Sequence, residues 1–194
     1  NELGIDNVEL IQMDILEVDL LKIKFDIIES SGVLHHMEDP SKGLKALLGS
    51  LKPSGFLHLG LYSELARQNI IKARNYIASK KLQENKDHIR NFRETIFSGK
   101  APEINSLTKN SDFYTLSSCR DLCFHAQEHR FTINQLEETL KSNKLEFLGF
   151  LLPSAVKSLY EKYFPEDKTQ TNLQNWVQFE EKNPNTFVGM YQFW

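Results

Sequence analysis

Short apolar runs and a helical spacing of leucines divide the start of the chain into a strand followed by a strand–helix–strand unit. The runs at 8–13, 25–31 and 56–62 predict three strands, because each is a few residues long and rich in apolar side chains. Asp39 and Pro40 then supply a helix cap and a first helical residue, and four leucines follow on one helical face. Because a short helical crossover joins strands that run in the same direction, we expect 25–31 and 56–62 to lie parallel.

Residues 64–131 have a different pattern, in which charged residues alternate with apolar residues at helical spacing. The part from 64 to 98 predicts two helices, and 99–111, with Pro102, predicts a loop. The aromatic and polar stretch 112–130 predicts a loop that contains a short helix. Since ligands in α/β sheets bind at the carboxyl ends of the strands, where this segment emerges, we expect 64–131 to form a helical cap or insertion over that edge.

The segment 132–194 returns to a mixture of helices and strands. Thr132 and Gln135 form the capping box of one helix. Two further helices and two further strands follow, with the helices predicted at 153–163 and 173–181 and the strands at 145–152 and 186–193. The chain therefore predicts an α/β fold, in which 1–63 and 132–194 form one domain.

Composition and charge are those of an ordinary globular domain, and they narrow the classes of function. The chain has 194 residues, of which 40% are hydrophobic and 25% are charged, with a net charge of −3. That balance excludes a broad electrostatic attraction to nucleic acid, and no apolar run is long enough to span a bilayer. Two cysteines and no signal-peptide pattern fit a reducing compartment, so we expect a cytoplasmic protein without nucleic-acid or membrane partners.

A continuous motif runs from Phe25 to Gly55 and reads FDIIESSGVLHHMEDPSKGLKALLGSLKPSG. It resembles the fourth strand, the ligand loop, the following helix and the turn into the fifth strand of class I S-adenosylmethionine-dependent methyltransferases. The stretch from Asn7 to Leu16 is similar to the third strand of that family, with Asp14 in the place of the acid that contacts adenine. The resemblance implies an incomplete Rossmann-like fold with S-adenosylmethionine as the cofactor.

Two departures from that family bear on how much of its site the chain contains. The pattern has no glycine-rich loop and no strand-ending acid for the cofactor ribose. The resemblance implies that two central strands belong between 8–13 and 25–31, which would leave a gap of three strand spacings, about 14 Å. The chain also begins at Asn1 rather than at a methionine, so we expect a fragment of a longer enzyme that is inactive alone.

Asp14 and the loop 30–36 carry the predicted cofactor contacts, because both follow strands at the ligand-binding edge. The residues expected to bind S-adenosylmethionine are Asp14, Ile15, Ser31, Gly32 and His36. Asp14 can accept a hydrogen bond from the adenine amino group, and the backbone at Gly32 can approach the cofactor because glycine has no side chain. Two alternatives stay open: Asp14 caps its own turn, and one of His35 and His36 packs locally while the other borders the pocket.

The stretch from Tyr114 to Thr132, which contains SSCRDLCFHAQEHRFT, is similar to the cap of a bacterial methyltransferase subgroup often fused to tetratricopeptide repeats. This likeness implies an upstream tetratricopeptide-repeat region in the parent chain. Within such a cap, His125 or His129 would be the general base, since histidine titrates near neutral pH. The residues expected to contact the substrate are Tyr62, Arg67, Tyr114, Arg120 and Glu128. The alternative for the charged residues of the cap is a solvated, salt-bridged helix end.

Cys119, Cys123, His125 and His129 are all zinc-ligand types, but their C-x3-C-x-H-x3-H spacing is not that of a common zinc site. On a helix the two cysteines share one face and the two histidines share another, so the four side chains do not converge. We expect packed cysteines and no bound metal, with a small zinc-binding module as the least favoured alternative.

The residues and the resemblance together predict an S-adenosylmethionine-dependent methyltransferase that acts on a small-molecule or protein nucleophile. In that chemistry the protein positions donor and acceptor, and it supplies a base only where the acceptor must lose a proton. The alternative is a non-catalytic remnant of such a domain that serves as a packing or interaction module.

Overall fold

The computed structural model describes residues 6–124 and 127–194, and its centre is the predicted strand–helix–strand unit. β1 (Phe25–Ser31) and β2 (Leu51–Leu61) are adjacent and parallel, as predicted, and α1 (Pro40–Ser50) connects them. The helix begins after Asp39, whose carboxylate accepts the backbone N–H of Ser41 at 2.9 Å. This unit brings the carboxyl ends of both strands to the same edge of the sheet.

Among the described residues the sheet has three strands in the order β1-β2-β3, and the last, β3 (Tyr191–Phe193), runs antiparallel to β2. The strand predicted at 186–193 is therefore limited to its last part. The segment predicted as a strand at 145–152 is not a continuous strand, but it lies antiparallel to β3, with a bridge between Phe150 and Phe193 and backbone hydrogen bonds on either side of it. Its apolar side chains pack beside β3 without a continuous ladder, and an apolar run alone does not distinguish that arrangement from a strand.

The strand predicted at 8–13 is also not formed. The segment has no strand partner among the described residues, and Leu10 is 94% exposed. Without a neighbouring strand an apolar run cannot complete a hydrogen-bonded ladder. After it, Asp14 caps a 3₁₀ helix, Ile15–Leu21, which lies beside α1. Within the described residues 25–31 pairs with β2 and forms no ladder with 8–13, and the two strands expected between them, with a gap of three strand spacings, stay a prediction.

The segment after β2 is mostly helical, as predicted. It contains α2 (Gln68–Ser79), α3 (Lys86–Phe97) and the four-residue α4 (Leu116–Cys119), which continues as a π-helical turn over Arg120–Phe124. The predicted loop at 99–111 is instead largely a 3₁₀ helix, Pro102–Lys109. These elements share an apolar cluster of their own, drawn from residues 70–124, with Phe92, Ile104 and Phe113 at its centre.

The C-terminal helices pack with the sheet in a second cluster. The capping box of Thr132 and Gln135 is present and starts α5 (Ile133–Ser142), and α6 (Ser154–Tyr163) and α7 (Leu173–Lys182) follow as predicted. Their largest buried side chains, Tyr160 and Trp176, stack with ring centroids 3.9 Å apart. The mixed sheet and its helices fit an α/β fold.

Candidate active site

The loop after β1 turns away from the sheet at Gly32. Its φ of +77° lies in the left-handed region that favours glycine, and its N–H donates to the carbonyl of Gly60 on β2 at 3.2 Å. A Cβ at Gly32 would meet no heavy atom within 4 Å. The backbone therefore borders open space at the carboxyl end of β1. The next residues, Leu34–His36, form a 3₁₀ turn that buries His35 and leaves His36 partly accessible.

Tyr62, the residue after β2, lies between two other side chains. The ring of His35 stacks on it with centroids 3.8 Å apart, and the guanidinium carbon of Arg67 lies 3.6 Å from the Tyr62 ring centroid. Two groups this close cannot share one ring face, so Tyr62 is sandwiched between an imidazole and a cation. Burial raises the pKa of the Tyr62 hydroxyl, and the charge of Arg67 partly counteracts that rise.

Arg67 is fixed on its other side by a buried carboxylate. Glu128 has no exposed side-chain surface, and it accepts hydrogen bonds from Arg67 Nε at 3.0 Å and Nη2 at 2.6 Å. Arg130 and Arg74 lie farther from the same carboxylate, at 3.5 and 3.7 Å. Because a bidentate guanidinium–carboxylate pair is geometrically specific, it holds the Arg67 fork in one orientation against Tyr62.

The strand-like segment 127–131 connects this pair to the loop after β1. The N–H of His129 donates to the carbonyl of His35 at 2.8 Å, and the N–H of Phe131 donates to the carbonyl of Tyr62 at 2.8 Å. The Nδ1 atom of His36 lies 3.2 Å from the carbonyl oxygen of Gln127. Since a carbonyl oxygen only accepts, this contact assigns the proton of a neutral His36 to Nδ1 and the lone pair to Nε2.

A cavity of about 970 Å³ opens beside these groups, at the carboxyl end of β2. His36, Tyr62 and Arg67 form part of its wall. The insertion and the loop before β3 complete the wall with both polar and apolar residues, among them Asn69, Ser106, Lys109, Asp112, Ser118, Asp121 and Asn185, and Ile70, Leu107, Leu122, Val188 and Met190. The volume is that of a small-molecule site, and the carboxyl end of parallel strands is where such sites occur in α/β sheets.

The structure separates the predicted substrate residues. Tyr62 and Arg67 line the cavity, and Glu128 lies behind Arg67. Arg120 is half-exposed and pairs with Asp121 at 3.2 Å and with Glu84 at 3.7 Å, which matches the solvated alternative. The hydroxyl of Tyr114 donates to the carbonyl of Thr108 at 2.8 Å. Neither Tyr114 nor Arg120 lines the cavity in the described part of the chain, although their neighbours Asp112 and Asp121 do.

Of the two histidines predicted as the general base, the structure describes only His129. His125 lies outside the described residues. His129 contacts the loop after β1 through its backbone, but its Nε2 is buried, with no hydrogen-bond partner within the described ranges. Its ring is not part of the cavity wall there, whereas the ring of His36 is.

The predicted adenine contact, Asp14, is exposed and acts as a helix cap. Its carboxylate accepts the N–H of Leu16 at 2.9 Å, so the alternative of a local turn role is seen. One oxygen of the carboxylate suffices for that bond, which leaves acceptor capacity for a ligand. Ile15 follows in the 3₁₀ helix and packs against the sheet cluster, and Ser31 lies at the end of β1 beside Gly60.

The two cysteines are free thiols that lie buried in the insertion. Cys119 and Cys123 are four residues apart and hydrogen-bond to each other, and that bond lowers the pKa of Cys119 while it raises the pKa of Cys123. Within the ranges 6–124 and 127–194, no group of three or more histidine, cysteine or acidic side chains is arranged to hold a metal ion.

Sequence reasoning did not identify two buried polar residues next to this site, Glu180 and Tyr191. Glu180 of α7 accepts hydrogen bonds from Ser63, which follows Tyr62, and from Tyr191 of β3. A signal was present for Glu180, because it occupies the i+7 position of the apolar face that begins at Leu173 and continues through Trp176. An acid at a core position of a helix needs partners, and its hydroxyl donors come from distant parts of the chain.

Comparison with known proteins places the chain in a family. Residues 1–180 match a methyltransferase domain. A protein of Synechococcus sp. described as uncharacterized is 34% identical over 154 residues, which cover 75% of this chain and 36% of that protein. The chain thus spans about a third of the length of this curated relative.

No helix in the described part of the chain combines the length and the apolar character that crossing a membrane requires. The family match covers both the parallel strands with their ligand loop and the helices that surround the cavity. The chain belongs to the methyltransferase domain family.

Proposed function

We propose that the chain forms part of an S-adenosylmethionine-dependent methyltransferase that acts on a small-molecule or protein nucleophile bound in the cavity. The observation that carries this proposal is the position of the cavity, at the carboxyl end of β2 beside the loop after β1. Its wall contains His36, Tyr62 and Arg67, which can hold a polar acceptor and take a proton from it.

The residues present fit the cofactor at two points. The left-handed turn at Gly32 leaves open space against the backbone, which suits a ligand that approaches closely. Asp14 is exposed and retains acceptor capacity for an adenine amino group. When bound, S-adenosylmethionine supplies an electrophilic methyl group on a sulfonium. The chain's own residues would hold the two reactants in place. Gly32 and Ser31 would border the cofactor, and Tyr62 and Arg67 would border the acceptor.

His36 is the residue that we assign to the acceptor's proton. The Gln127 carbonyl receives the Nδ1 proton, so Nε2 is the nitrogen with a lone pair on a ring that lines the cavity. His129 is less suited, because its Nε2 is buried away from that wall. A base contributes only if the acceptor must be deprotonated, so this assignment concerns hydroxyl or ammonium acceptors.

A titration of S-adenosylhomocysteine into the ¹⁵N-labelled chain, followed by NMR, tests the cofactor assignment. The residues for a glycine-rich loop and a ribose acid are absent from the pattern, so we expect weak binding, in the millimolar range. The amide signals of 14–16 and 31–36 should move. The proposal would be contradicted if the titration saturated with shifts only outside 14–16 and 31–36, or if no amide signal moved.

A pair of glycine substitutions makes the test specific. Gly32→Val should abolish the shifts, because a side chain there enters the space assigned to the ligand. Gly99→Val is the matched control, since Gly99 has a similar φ of +72° and open space around its Cβ position. Equal losses in both variants would mean that backbone strain, and not a ligand, explains the effect.

An exposed apolar surface on β1 and β2 favours a second function, that of a non-catalytic interaction module. Ile27 and Phe56 are paired in register on β1 and β2, and they are 59% and 51% exposed. Adjacent exposed apolar side chains on a sheet face are typical of an interaction surface. In that case the chain is a non-catalytic module, and S-adenosylhomocysteine should cause no shift at any concentration.

A further inference from the structure

Three buried polar residues, Ser63, Glu180 and Tyr191, meet next to Tyr62, which is part of the cavity wall. Glu180 is 5% exposed, and Ser63 and Tyr191 have no measurable exposure. The Ser63 hydroxyl donates to Glu180 Oε1 at 2.6 Å, and the Tyr191 hydroxyl lies 2.8 and 2.6 Å from Oε1 and Oε2. The cluster thus joins the end of β2, helix α7 and strand β3.

This arrangement is unusual for a buried acid. Burial raises the pKa of the Glu180 carboxyl, and within the described residues the hydroxyls of Ser63 and Tyr191 are what counteract that rise. Buried carboxylates are ordinarily paired with cations, and an apolar side chain of similar size often packs at no loss of stability. A role beyond packing would account for an acid at this position.

Ser63 shows what that role would be. Its hydroxyl has one proton, which Glu180 accepts, so the oxygen is left to accept the N–H of Ala66 at 3.0 Å. Its carbonyl accepts the N–H of Arg67 at 3.2 Å, and its backbone forms a bridge with Phe131. The turn from Tyr62 to Arg67 is therefore organised around the side chain and backbone of Ser63.

The turn determines how the cavity wall is presented. Tyr62 and Arg67 contact each other at 3.6 Å although four residues separate them, and this contact requires the turn at Ser63. Arg67 is then close enough to make its bidentate pair with Glu128.

We propose that Glu180 is a positioning residue of the cavity, which acts through Ser63 to hold Tyr62 against Arg67. This proposal rests on the proposed function only where it gives the cavity a role in methyl transfer. The contact between Tyr62 and Arg67 does not depend on that function. The positioning role is distinct from a purely structural role, which would lower stability and leave the geometry of the folded protein unchanged.

The Arg67 Nε–H signal in ¹⁵N NMR spectra of the chain reports this placement directly, since it depends on the Tyr62 ring and on Glu128. We expect Glu180→Met and Ser63→Ala to displace the signal, and Glu180→Gln, which keeps an acceptor for Ser63, to restore it. The readout needs no methyl transfer, so a failed cofactor titration and a failed positioning test are distinguishable.

Tyr160→Phe is the matched control, because Tyr160 is also a fully buried tyrosine that donates to a carboxylate, that of Asp167, at 2.5 Å. It lies in the same core but makes no hydrogen bond to the turn at Ser63 within the described residues, so the Arg67 signal should stay in place. If Glu180→Met does not fold, Ser63→Ala and Glu180→Gln decide the question. An unmoved Arg67 signal in folded Ser63→Ala, or an equal displacement in Tyr160→Phe, would overturn the proposal.

Discussion

Arg67 and Glu128 lie 61 positions apart in the chain and form a bidentate ion pair with 5% and 0% side-chain exposure. The pair joins the start of α2 to the segment that follows the π-helical turn. It also holds the guanidinium of Arg67 against the ring face of Tyr62. The same ion pair therefore connects two segments of the chain and fixes part of the cavity wall.

Removing one partner of this pair should be strongly destabilising. Glu128→Gln leaves the Arg67 charge buried without its full counter-charge, and we expect a loss of about 3–5 kcal/mol in the free energy of unfolding, measured with urea. Replacing both partners by apolar residues, in Arg67→Met with Glu128→Leu, should cost less than the single change. Asp87→Asn is the control, because Asp87 is exposed and pairs only loosely with Arg90. Since Asp87 lies in the first turn of α3, this change should lower the free energy of unfolding by about 1 kcal/mol at most. Similar losses of unfolding free energy in Glu128→Gln and Asp87→Asn would contradict the assignment of Arg67 and Glu128 as a buried ion pair.

The close approach of β1 and β2 predicts opposite effects for two glycine-to-alanine changes. A Cβ at Gly60 would lie 2.9 Å from Ser31 Cα and closer still to Ser31 Oγ, so Gly60→Ala should destabilise by about 1–3 kcal/mol. A Cβ at Gly49, within α1, would meet nothing within 4 Å, and Gly49→Ala should stabilise by about 0.5–1 kcal/mol. Thermal unfolding of the two variants checks both signs, and a neutral Gly60→Ala would show that the strands can separate locally.

The local parts of the fold could be predicted from sequence, while the pairing of distant parts could not. The cap at Asp39 and the capping box at Thr132 depend on neighbours within a few residues, and the βαβ crossover joins two strands that are consecutive along the chain. The segment 8–13 shows the limit of this approach, because strand formation depends on a partner that an apolar run does not specify.

The candidate site divides in the same way. The motif indicated Gly32 and His36, since both belong to one continuous stretch, and Tyr62 and Arg67 follow the next strand. The partners of these residues, Gln127 for His36 and Glu128 for Arg67, come from a distant segment whose approach the pattern does not determine. Of the two histidines that sequence reasoning predicted as the base, His129 contributes its backbone to the site, and His125 lies outside the described residues.

Glu180 predicts a distinctive dependence of stability on pH. Burial raises its pKa in the folded state above the unfolded value, so the folded state binds the proton more readily. Its contribution to stability is therefore fully present at pH below the unfolded pKa and is lost as the pH rises through the folded pKa. Glu180→Gln should remove this loss, which urea unfolding from pH 4 to 8 would reveal.

Asp167 is the control, because its contribution to stability should change with pH in the opposite direction. Burial alone would raise its pKa, but the hydrogen bonds from Tyr160 and from the backbone N–H groups of Asn172 and Thr171 outweigh burial and lower it. Its contribution is present above the unfolded pKa and is lost as the pH falls through the folded pKa, so Asp167→Asn should flatten the acid side of the profile. Identical profiles for the two variants would contradict both assignments.

The two histidines His36 and His88 should have opposite tautomers when neutral, and this prediction bears most directly on the proposed base. Nδ1 of His36 faces the carbonyl of Gln127 and must donate, whereas Nδ1 of His88 accepts the N–H of Gln83 at 2.7 Å and must lack a proton. Long-range ¹H–¹⁵N NMR spectra at pH 8 should therefore show a protonated Nδ1 and an unprotonated Nε2 for His36, and the reverse for His88. Because both rings are measured in one sample, solvent and temperature affect them equally. A protonated Nε2 on neutral His36 would remove the lone pair from that nitrogen and with it the assignment of His36 as the base.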